Sequence, residues 1–341
     1  MSAATLKTLI HKVADAKPLS EDEMRTALEI MTDGHATQAQ MGAFLMALRV
    51  RGETVEEITG ATQMMRSKMR RVTAPAGAVD IVGTGGDAHG TYNVSTCAAL
   101  VAAGAGLKIA KHGSRSVSSL AGASDVLSAL GIKLDVTNAT IERAIGEAGV
   151  GFMFAPNHHP AMKNWAPVRA ELGVRTIFNL LGPISNPAGV KRQIVGVYSR
   201  QWVEPVASVL AKLGAEHVWV VHGHDGLDEL TTTGSTDVAE VKNGAVTVFE
   251  VTPQDAGIAP AKLSDLKGGD PAYNAAAIRA VLDGKPGPFR DIVLLNAAAA
   301  MIVGGKAQNL IDGVALATHA VETGAARAAL AKLVEVTNRP Q

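Results

Sequence analysis

Residues 79–87 read V-D-I-V-G-T-G-G-D, and this stretch decides the fold class. A short apolar run that barely alternates with polar residues is typical of a buried parallel strand, and the glycines predict a tight turn with exposed N–H groups after it. Residues 107–115, L-K-I-A-K-H-G-S-R, repeat the pattern, because Lys111, His112 and Arg115 follow a second apolar run. Free N–H groups beside fixed cations suit a polyanion, so a phosphate-bearing substrate is the first inference.

The same succession of strand, loop and helix continues along the chain. The predicted strands occupy residues 79–82, 107–110, 150–154, 193–198 and 217–221. Helical stretches at 95–105, 139–148 and 203–213 separate them, and such alternation indicates βαβ units. Asn243-Gly244 between alternating runs predicts a hairpin further on. We therefore expect an α/β protein with a mainly parallel central sheet flanked by helices.

The amino-terminal stretch, up to about Arg71, contains helix signals only. Three capping boxes each open a segment with helical apolar spacing; they pair Ser20 with Glu23, Thr37 with Gln40 and Thr54 with Glu57. Residues 73–78 contain Pro and Gly and predict a domain boundary. The expected division is a small all-helical domain over residues 1–74, with about 163–185 packing back on it, and a larger α/β domain over residues 75–162 and 186–341.

Composition argues against several classes of protein. Lysine plus arginine total 32 and aspartate plus glutamate total 32, so no net charge attracts nucleic acid or an anionic membrane. The single Cys97 cannot form an internal disulfide, and Lys7 lies where a signal peptide would be apolar. The longest apolar run, residues 292–304, is interrupted by Asn296 and is too short to span a bilayer. We expect a soluble, cytoplasmic protein.

The first glycine-rich loop, residues 83–87, is by itself a common structural turn of α/β proteins. It matches neither the dinucleotide fingerprint G-x-G-x-x-G nor the P-loop pattern G-x-x-x-x-G-K-[ST]. The continuation T-Y-N-V-S-T places Asn93, Ser95 and Thr96 at the opening of the next helix. Hydroxyl and N–H groups at a helix start favour a phosphate site over a bare turn.

Two further elements carry charges suited to a phosphorylated donor and an acidic acceptor. Asp228 and Glu229 follow a predicted strand, where carboxylates are candidate ligands for Mg²⁺, although adjacent acids are usually a solvated face. Arg169 and Arg175 are candidates for a bidentate clamp on a carboxylate, or ordinary surface residues. The spacing of three nearby histidines matches no standard zinc motif; they are His217, His222 and His224.

Seven motifs occur in order over most of the chain. They are G-T-G-G-D at 83–87, N-V-S-T at 93–96, K-H-G-S-R at 111–115, H-H-P-A-M-K at 158–163, V-R-x-E-L-G-V-R-T-I-F-N-L-L-G-P at 168–183, N-P at 186–187 and G-L-D-E at 226–229. This set closely resembles the anthranilate phosphoribosyltransferase family, enzymes of tryptophan biosynthesis. The resemblance implies a glycosyltransferase of the pentosyltransferase type, which moves the phosphoribosyl group of phosphoribosyl pyrophosphate (PRPP) to the amine of anthranilate and releases pyrophosphate. It also implies a fold shared with pyrimidine-type nucleoside phosphorylases, and a homodimer formed through the helical domain.

Carried over residue by residue, the resemblance implies three groups of site residues. Those expected to hold PRPP are Gly83, Thr84, Gly85, Gly86, Asp87, Thr91, Asn93, Ser95, Thr96, Lys111 and Ser119. Those expected to line the anthranilate site are Gly83, His112, Ser114, His159, Met162 and Arg169, with Arg169 reading the carboxylate. Those expected to position Mg²⁺ are Ser95, Asp228 and Glu229. No strong general base is evident, and His112 is the candidate for receiving the amine proton.

Ser114 is the one departure from the family pattern, which usually has asparagine there, in K-H-G-N-R. Serine has a shorter reach than asparagine, so the departure concerns the detailed contact with the acceptor. Two alternatives stay open: a pyrimidine-type nucleoside phosphorylase and a nucleic-acid-binding relative of the same fold. The zero net charge and the intact Asp228-Glu229 pair speak against the second alternative.

Overall fold

The computed structural model describes residues 5–85, 89–114 and 121–340. Its first four helices form a bundle: α1 (Leu6–Ala14), α2 (Glu21–Thr32), α3 (Gln38–Arg51) and α4 (Val55–Lys68). The three expected capping boxes are present at the starts of α2, α3 and α4. Each box satisfies backbone N–H groups that the first helical turn leaves without a partner. The apolar spacing of α3 is also confirmed, because Met41, Phe44, Leu45 and Leu48 are all buried.

Seven strands form one mixed sheet. They are β1 (Val79–Gly83), β2 (Ile109–Gly113), β3 (Val150–Phe154), β4 (Arg192–Gly196), β5 (His217–Gly223), β6 (Thr236–Lys242) and β7 (Ala245–Val251). Their order is β3-β2-β1-β4-β5-β6-β7, with the first five parallel and the last two antiparallel. The expected fold class, a small helical domain with a larger, mainly parallel α/β domain, is confirmed. The expected hairpin at Asn243-Gly244 joins β6 to β7.

Helices cover both faces of the sheet. They are α5 (Val94–Gly104), α6 (Ala123–Ala129), α7 (Asn138–Glu147), α8 (Ala155–His158), α9 (Ala166–Leu172), α10 (Phe178–Ile184), α11 (Val203–Lys212), α12 (Pro271–Leu282), α13 (Pro288–Val303), α14 (Leu310–Glu322) and α15 (Ala325–Asn338). On β1, Ile81 joins the core beneath α5 and α13, whereas its neighbour Val82 joins the core shared with α11 and the amino-terminal bundle. Successive side chains of a strand point to opposite faces, so each strand serves both cores.

The segment from α8 to α10 contacts the amino-terminal helices. Trp165 is fully buried, and its indole N–H donates to Thr32 Oγ1 over 3.1 Å. The Arg66 guanidinium of α4 donates to the backbone carbonyl of Ile184 at 2.7 Å. These bonds attach the return segment to α2 and α4. None of the helices that the structure describes is both long enough and apolar enough to cross a membrane.

Strand β2 differs from the expectation in a way that matters for the site. The sequence predicts that the strand ends at residue 110 and that Lys111 and His112 lie in a loop. The structure places both in β2, where Lys111 pairs with Phe152 and His112 with Met153 of β3. Both side chains are buried, at 3% exposure each. The strand continues because the parallel ladder with β3 extends to Gly113.

Candidate active site

Several of the described residues that the sequence predicts to hold the donor lie where the strand order of the sheet reverses. From β1, the chain continues to β2 and β3 on one side, while β4 and β5 lie on the other. Open α/β sheets bind ligands at the carboxyl ends of the strands at such a point. Gly83 and Gly196 end β1 and β4 and face each other in register, and Thr84 N–H donates to the Gly196 carbonyl at 2.9 Å.

Asp228 is held against this pair of strand ends. The N–H of Gly85 donates to Asp228 Oδ2 at 2.6 Å. A Cβ atom at Gly83 would overlap the Asp228 carboxylate, and one at Gly196 would overlap its backbone carbonyl. The missing side chains therefore make the space that Asp228 occupies. Three of the predicted residues, Gly83, Gly85 and Asp228, thus form one compact unit.

Glu229 connects this unit to the start of α5. Its Oε1 accepts a hydrogen bond from the backbone N–H of Ser95 at 3.2 Å. Lys111 Nζ donates to Ser95 Oγ at 3.3 Å, so a cation, a hydroxyl and two carboxylates from three segments converge. Thr96 Oγ1, one residue further, is buried with no hydrogen-bond partner among the described residues.

Lys111 is the buried cation of the site. Its ammonium donates to the Ile81 carbonyl of β1 as well as to Ser95. Burial lowers the pKa of Lys111, while the negative charges of Asp80, Glu229 and Asp228 act to raise it. A lysine carried on a strand is also more tightly positioned than one carried on a loop.

Asp80 was not among the predicted site residues. It is fully buried on β1, where Oδ1 accepts from the His112 N–H at 3.2 Å and Oδ2 accepts from the Asn186 amide at 2.6 Å. Burial raises the pKa of Asp80 to about 6, against the opposing effect of the Lys111 charge. The sequence does carry a signal for Asp80, since it is an acidic residue inside the apolar run of residues 79–82.

Asn296 was also missed. It lies fully buried in the apolar helix α13, where its Oδ1 accepts from Leu230 N at 3.0 Å and its Nδ2 donates to Leu230 O at 2.8 Å. These two hydrogen bonds fix the backbone directly after Glu229. A polar residue inside the apolar run 292–304 indicates a buried hydrogen-bond partner, but the sequence does not show that this partner is Leu230 in a distant loop.

Two further residues that the sequence predicts to hold the donor, Thr91 and Asn93, lie just before α5. Asn93 Nδ2 donates to the Ala121 carbonyl at 3.1 Å, and Asn93 Oδ1 accepts from the Asn274 amide at 2.9 Å. Thr91 forms a β-bridge with Lys267. Gly86, Asp87, Arg115 and Ser119 lie outside the described residues, so their predicted roles stay predictions.

Two of the histidines that the sequence predicts for the acceptor site are neighbours in the structure. The rings of His112 and His159 lie 5.0 Å apart between centroids. Burial, followed by the neighbouring rings of His159 and His158, lowers the pKa of His112 well below its usual range. Burial and His158 lower the pKa of His159 to about 4. Both rings are therefore neutral near pH 7, and His112 Nε2 has no hydrogen-bond partner among the described residues.

The other expected acceptor residues lie on different elements. Arg169 on α9 is half-buried, with its guanidinium carbon 5.3 Å from the Phe178 ring centroid. Burial lowers its pKa. Met162 packs, partly buried, against the core of the helical bundle, and Ser114 is exposed immediately after β2. Arg175 stacks over Tyr198 at 4.6 Å.

Comparisons with known proteins agree with this geometry. Residues 7–69 match the family model described as "Glycosyl transferase family, helical bundle domain", and residues 76–327 match "Glycosyl transferase family, a/b domain". The chain is 61% identical to an anthranilate phosphoribosyltransferase of Rhodopseudomonas palustris over 97% of its own length and 98% of that protein. A relative of the same name from Bradyrhizobium is 61% identical over 98% of this chain and 99% of that protein.

Solved structures give the same result. The anthranilate phosphoribosyltransferase of Thermus thermophilus superposes with a TM-score of 0.90 at 42% identity, over 96% of this chain and 99% of that one. The Saccharomyces cerevisiae enzyme in complex with PRPP and Mg superposes with a TM-score of 0.89 at 31% identity, over 99% of both chains. The chain therefore belongs to the anthranilate phosphoribosyltransferase family and is an enzyme of the glycosyltransferase type.

Proposed function

We propose that this site transfers the phosphoribosyl group of PRPP to the amine of anthranilate and releases pyrophosphate. The observation that carries the proposal is the convergence of Gly85 N–H, Lys111, Ser95 and the Asp228-Glu229 pair at the reversal point of the sheet. A buried lysine ammonium suits the phosphates of the donor, and the carboxylate pair suits the cation that accompanies them. The names of the 61% identical relatives support the same donor and acceptor.

The donor set fits Mg²⁺. Asp228 and Glu229 provide carboxylate oxygens, which this hard cation prefers. One oxygen of each carboxylate accepts a hydrogen bond from a backbone N–H, and this bond fixes the position of the side chain. The hydroxyl of Thr96 is buried at the same helix start and has no hydrogen-bond partner within the part of the chain that the structure describes. The related yeast structure with PRPP and Mg supports this assignment. When bound, Mg²⁺ would neutralise negative charge on the departing pyrophosphate.

The chain's own residues carry the rest of the reaction. The bond between the anomeric carbon and the pyrophosphate oxygen breaks, and the amine nitrogen forms the new bond to that carbon. The Lys111 ammonium stabilises the negative leaving group. The acceptor region holds a weak amine nucleophile close to the anomeric carbon.

One proton leaves the amine during the transfer, and His112 Nε2 is the candidate acceptor. Its lowered pKa keeps the ring neutral near pH 7, and this nitrogen has no partner among the described residues. A weak base is sufficient, since the nitrogen becomes strongly acidic once it is bonded to the anomeric carbon. Arg169 supplies the cation for the carboxylate of anthranilate, and His159 and Met162 form the walls of the channel.

We also propose a homodimer that works in tryptophan biosynthesis in the cytoplasm. Val50 at the end of α3 is 81% exposed, and Val174 just after α9 is 49% exposed. Both are large apolar side chains open to solvent, which a second copy of the chain could cover. Sedimentation that finds only monomer at micromolar concentration would contradict the dimer.

The decisive experiment follows the fluorescence of anthranilate in the presence of PRPP and Mg²⁺, with pyrophosphate measured in parallel. We expect one pyrophosphate for each anthranilate consumed. Phosphate-dependent cleavage of a pyrimidine nucleoside, with no consumption of anthranilate, would instead identify a nucleoside phosphorylase.

A further inference from the structure

Three side chains of the types that bind metal ions lie close together where β5 ends, β6 begins and β7 ends. They belong to His224, Asp237 and Glu250. Strands β5, β6 and β7 are antiparallel, and Asp237 pairs with Glu250 in register, so the sheet topology brings the three together. None of them is among the residues assigned to the transferase site above.

The distances between the ligand atoms suit one metal ion. His224 Nε2 lies 3.0 Å from Asp237 Oδ2 and 3.9 Å from Glu250 Oε1, and all three atoms lie within 4.8 Å of one another. Metal bonds to imidazole nitrogen and carboxylate oxygen are about 2.0–2.2 Å long. Ligand atoms on one such ion stand roughly 3–3.5 Å apart, so only Glu250 must move inward, and its side chain is 53% exposed.

Asp237 supplies a second, independent observation. Its side chain is 6% exposed, and Arg200 contacts only Oδ1, at 3.1 Å. Oδ2 is buried and lies 3.0 Å from His224 Nε2, but it accepts no aligned hydrogen bond from that ring or from any other described residue. A buried carboxylate oxygen without a donor is costly unless a cation compensates it. Among the described residues, Arg200 is the permanent cation paired with Asp237, and its own side chain is 72% exposed.

We propose that His224, Asp237 and Glu250 bind a divalent transition metal of the Zn²⁺ type. One imidazole nitrogen with two carboxylate oxygens suits such borderline ions, whereas Mg²⁺ prefers a set made of oxygens alone. The site therefore differs in metal preference from the Asp228-Glu229 pair. Because His224 and Glu250 are partly exposed, water completes the coordination.

The other histidines of this region have different partners. His217 Nε2 lies 2.6 Å from Glu240 Oε1, and His222 Nδ1 lies 2.8 Å from the Val197 carbonyl. This explains why the spacing of the three histidines matches no zinc motif: only His224 contributes, and its partners come from two other strands.

Metal binding at this position would fasten one end of the loop that carries Asp228 and Glu229. His224 begins that loop, and its N–H donates to the Ser235 carbonyl at the other end at 2.9 Å. We expect Zn²⁺ to raise the midpoint of thermal unfolding without requiring PRPP or anthranilate. This readout is separate from catalysis.

The test is calorimetric titration of the full chain with Zn²⁺ in buffer containing excess Mg²⁺. We expect one Zn²⁺ per chain, with affinity falling in His224→Gln and in Glu250→Gln by at least the roughly 10- to 100-fold that loss of an outer partner of a metal ligand causes; both positions are exposed, so folding should stay intact. His319→Gln, which removes an exposed histidine of α14, is the matched control and should bind as the wild type does. The double variant Asp228→Asn with Glu229→Gln should also retain Zn²⁺.

Two results would overturn the proposal. One is wild-type protein that takes up no Zn²⁺ under these conditions. The other is unchanged binding in both His224→Gln and Glu250→Gln, which would place the metal elsewhere on the chain. Zn²⁺ binding that disappears only in the Asp228→Asn, Glu229→Gln variant would assign it to the transferase site instead.

Discussion

Gly196, the last residue of β4, lies directly against the backbone carbonyl of Asp228. Its neighbour Gly83 lies in the same way against the Asp228 carboxylate. Neither glycine has a positive φ, so space rather than backbone conformation excludes a side chain at both positions. The two strand ends therefore determine where one of the proposed metal ligands can stand.

Gly196→Ala should displace Asp228 and impair catalysis. The added methyl group cannot share space with the Asp228 carbonyl, so the loop must shift. We expect a loss of about 100-fold in kcat/KM for PRPP, the scale that follows from misplacing a reacting group by about 1 Å. Gly234→Ala in the same loop, where a Cβ meets no atom within 4 Å, is the control and should keep near-normal activity.

The double variant Asp228→Asn with Glu229→Gln should cripple turnover while leaving the fold intact. Both amides keep an oxygen that can accept the existing hydrogen bonds from Gly85 and Ser95, but the negative charges are lost. Loss of such electrostatic stabilisation costs about 100-fold or more in kcat. Circular dichroism checks the fold, and unchanged turnover at limiting Mg²⁺ would contradict the metal assignment.

Asn296→Leu should destabilise the loop that carries Asp228 and Glu229, because Asn296 holds the backbone directly after Glu229. The substitution leaves the N–H and carbonyl of Leu230 buried without their partner, at a cost of about 1–3 kcal/mol for each group. We expect lower stability and, in the folded fraction, a higher Mg²⁺ concentration for half-maximal activity. Asn338→Ala, whose amide binds the Gly131 and Val334 carbonyls, should lower stability at most and leave the Mg²⁺ requirement unchanged.

The parts of the site predicted from sequence are those at strand ends. The loop after β1 and the Asp228-Glu229 pair after β5 were each predicted as ligand residues because they follow strands, and the carboxyl ends of parallel strands lie at one edge of the sheet, where the two segments meet. The helical bundle was predicted from its caps, because a capping box is a local signal in which both partners lie within four residues.

The features of the site that could not be predicted from the sequence depend on partners that are distant along the chain. Lys111 lies in a strand because β3 supplies a ladder up to Gly113, and no local pattern reveals how far that pairing extends. Asp80 is stabilised by Asn186, and Asn296 by Leu230. Each is a buried polar residue in an apolar segment, which indicates that a partner exists but not which one.

Asp80→Asn should move the pH dependence of donor binding. The negative charge of Asp80 raises the pKa of the buried Lys111, so its removal lets the lysine lose its proton at a lower pH. We expect the alkaline limb of kcat/KM for PRPP to shift to lower pH, with a smaller change at acidic pH. A variant that loses activity equally at every pH would show that Asp80 has a structural role only.

Arg169→Ala should weaken the binding of anthranilate far more than the binding of PRPP. If the guanidinium, held over Phe178 at 5.3 Å, pairs with the carboxylate of the acceptor, its loss removes a charge-assisted hydrogen bond. Such a loss costs about 1.5–3 kcal/mol, or roughly ten- to a hundredfold in the KM for anthranilate. Arg175→Ala is the matched control, because Arg175 also stacks on an aromatic ring, that of Tyr198. It should leave the ratio of the two KM values unchanged. Equal weakening of both substrates by Arg169→Ala would instead place this arginine at the donor or in the scaffold, and the carboxylate of anthranilate would need another cation.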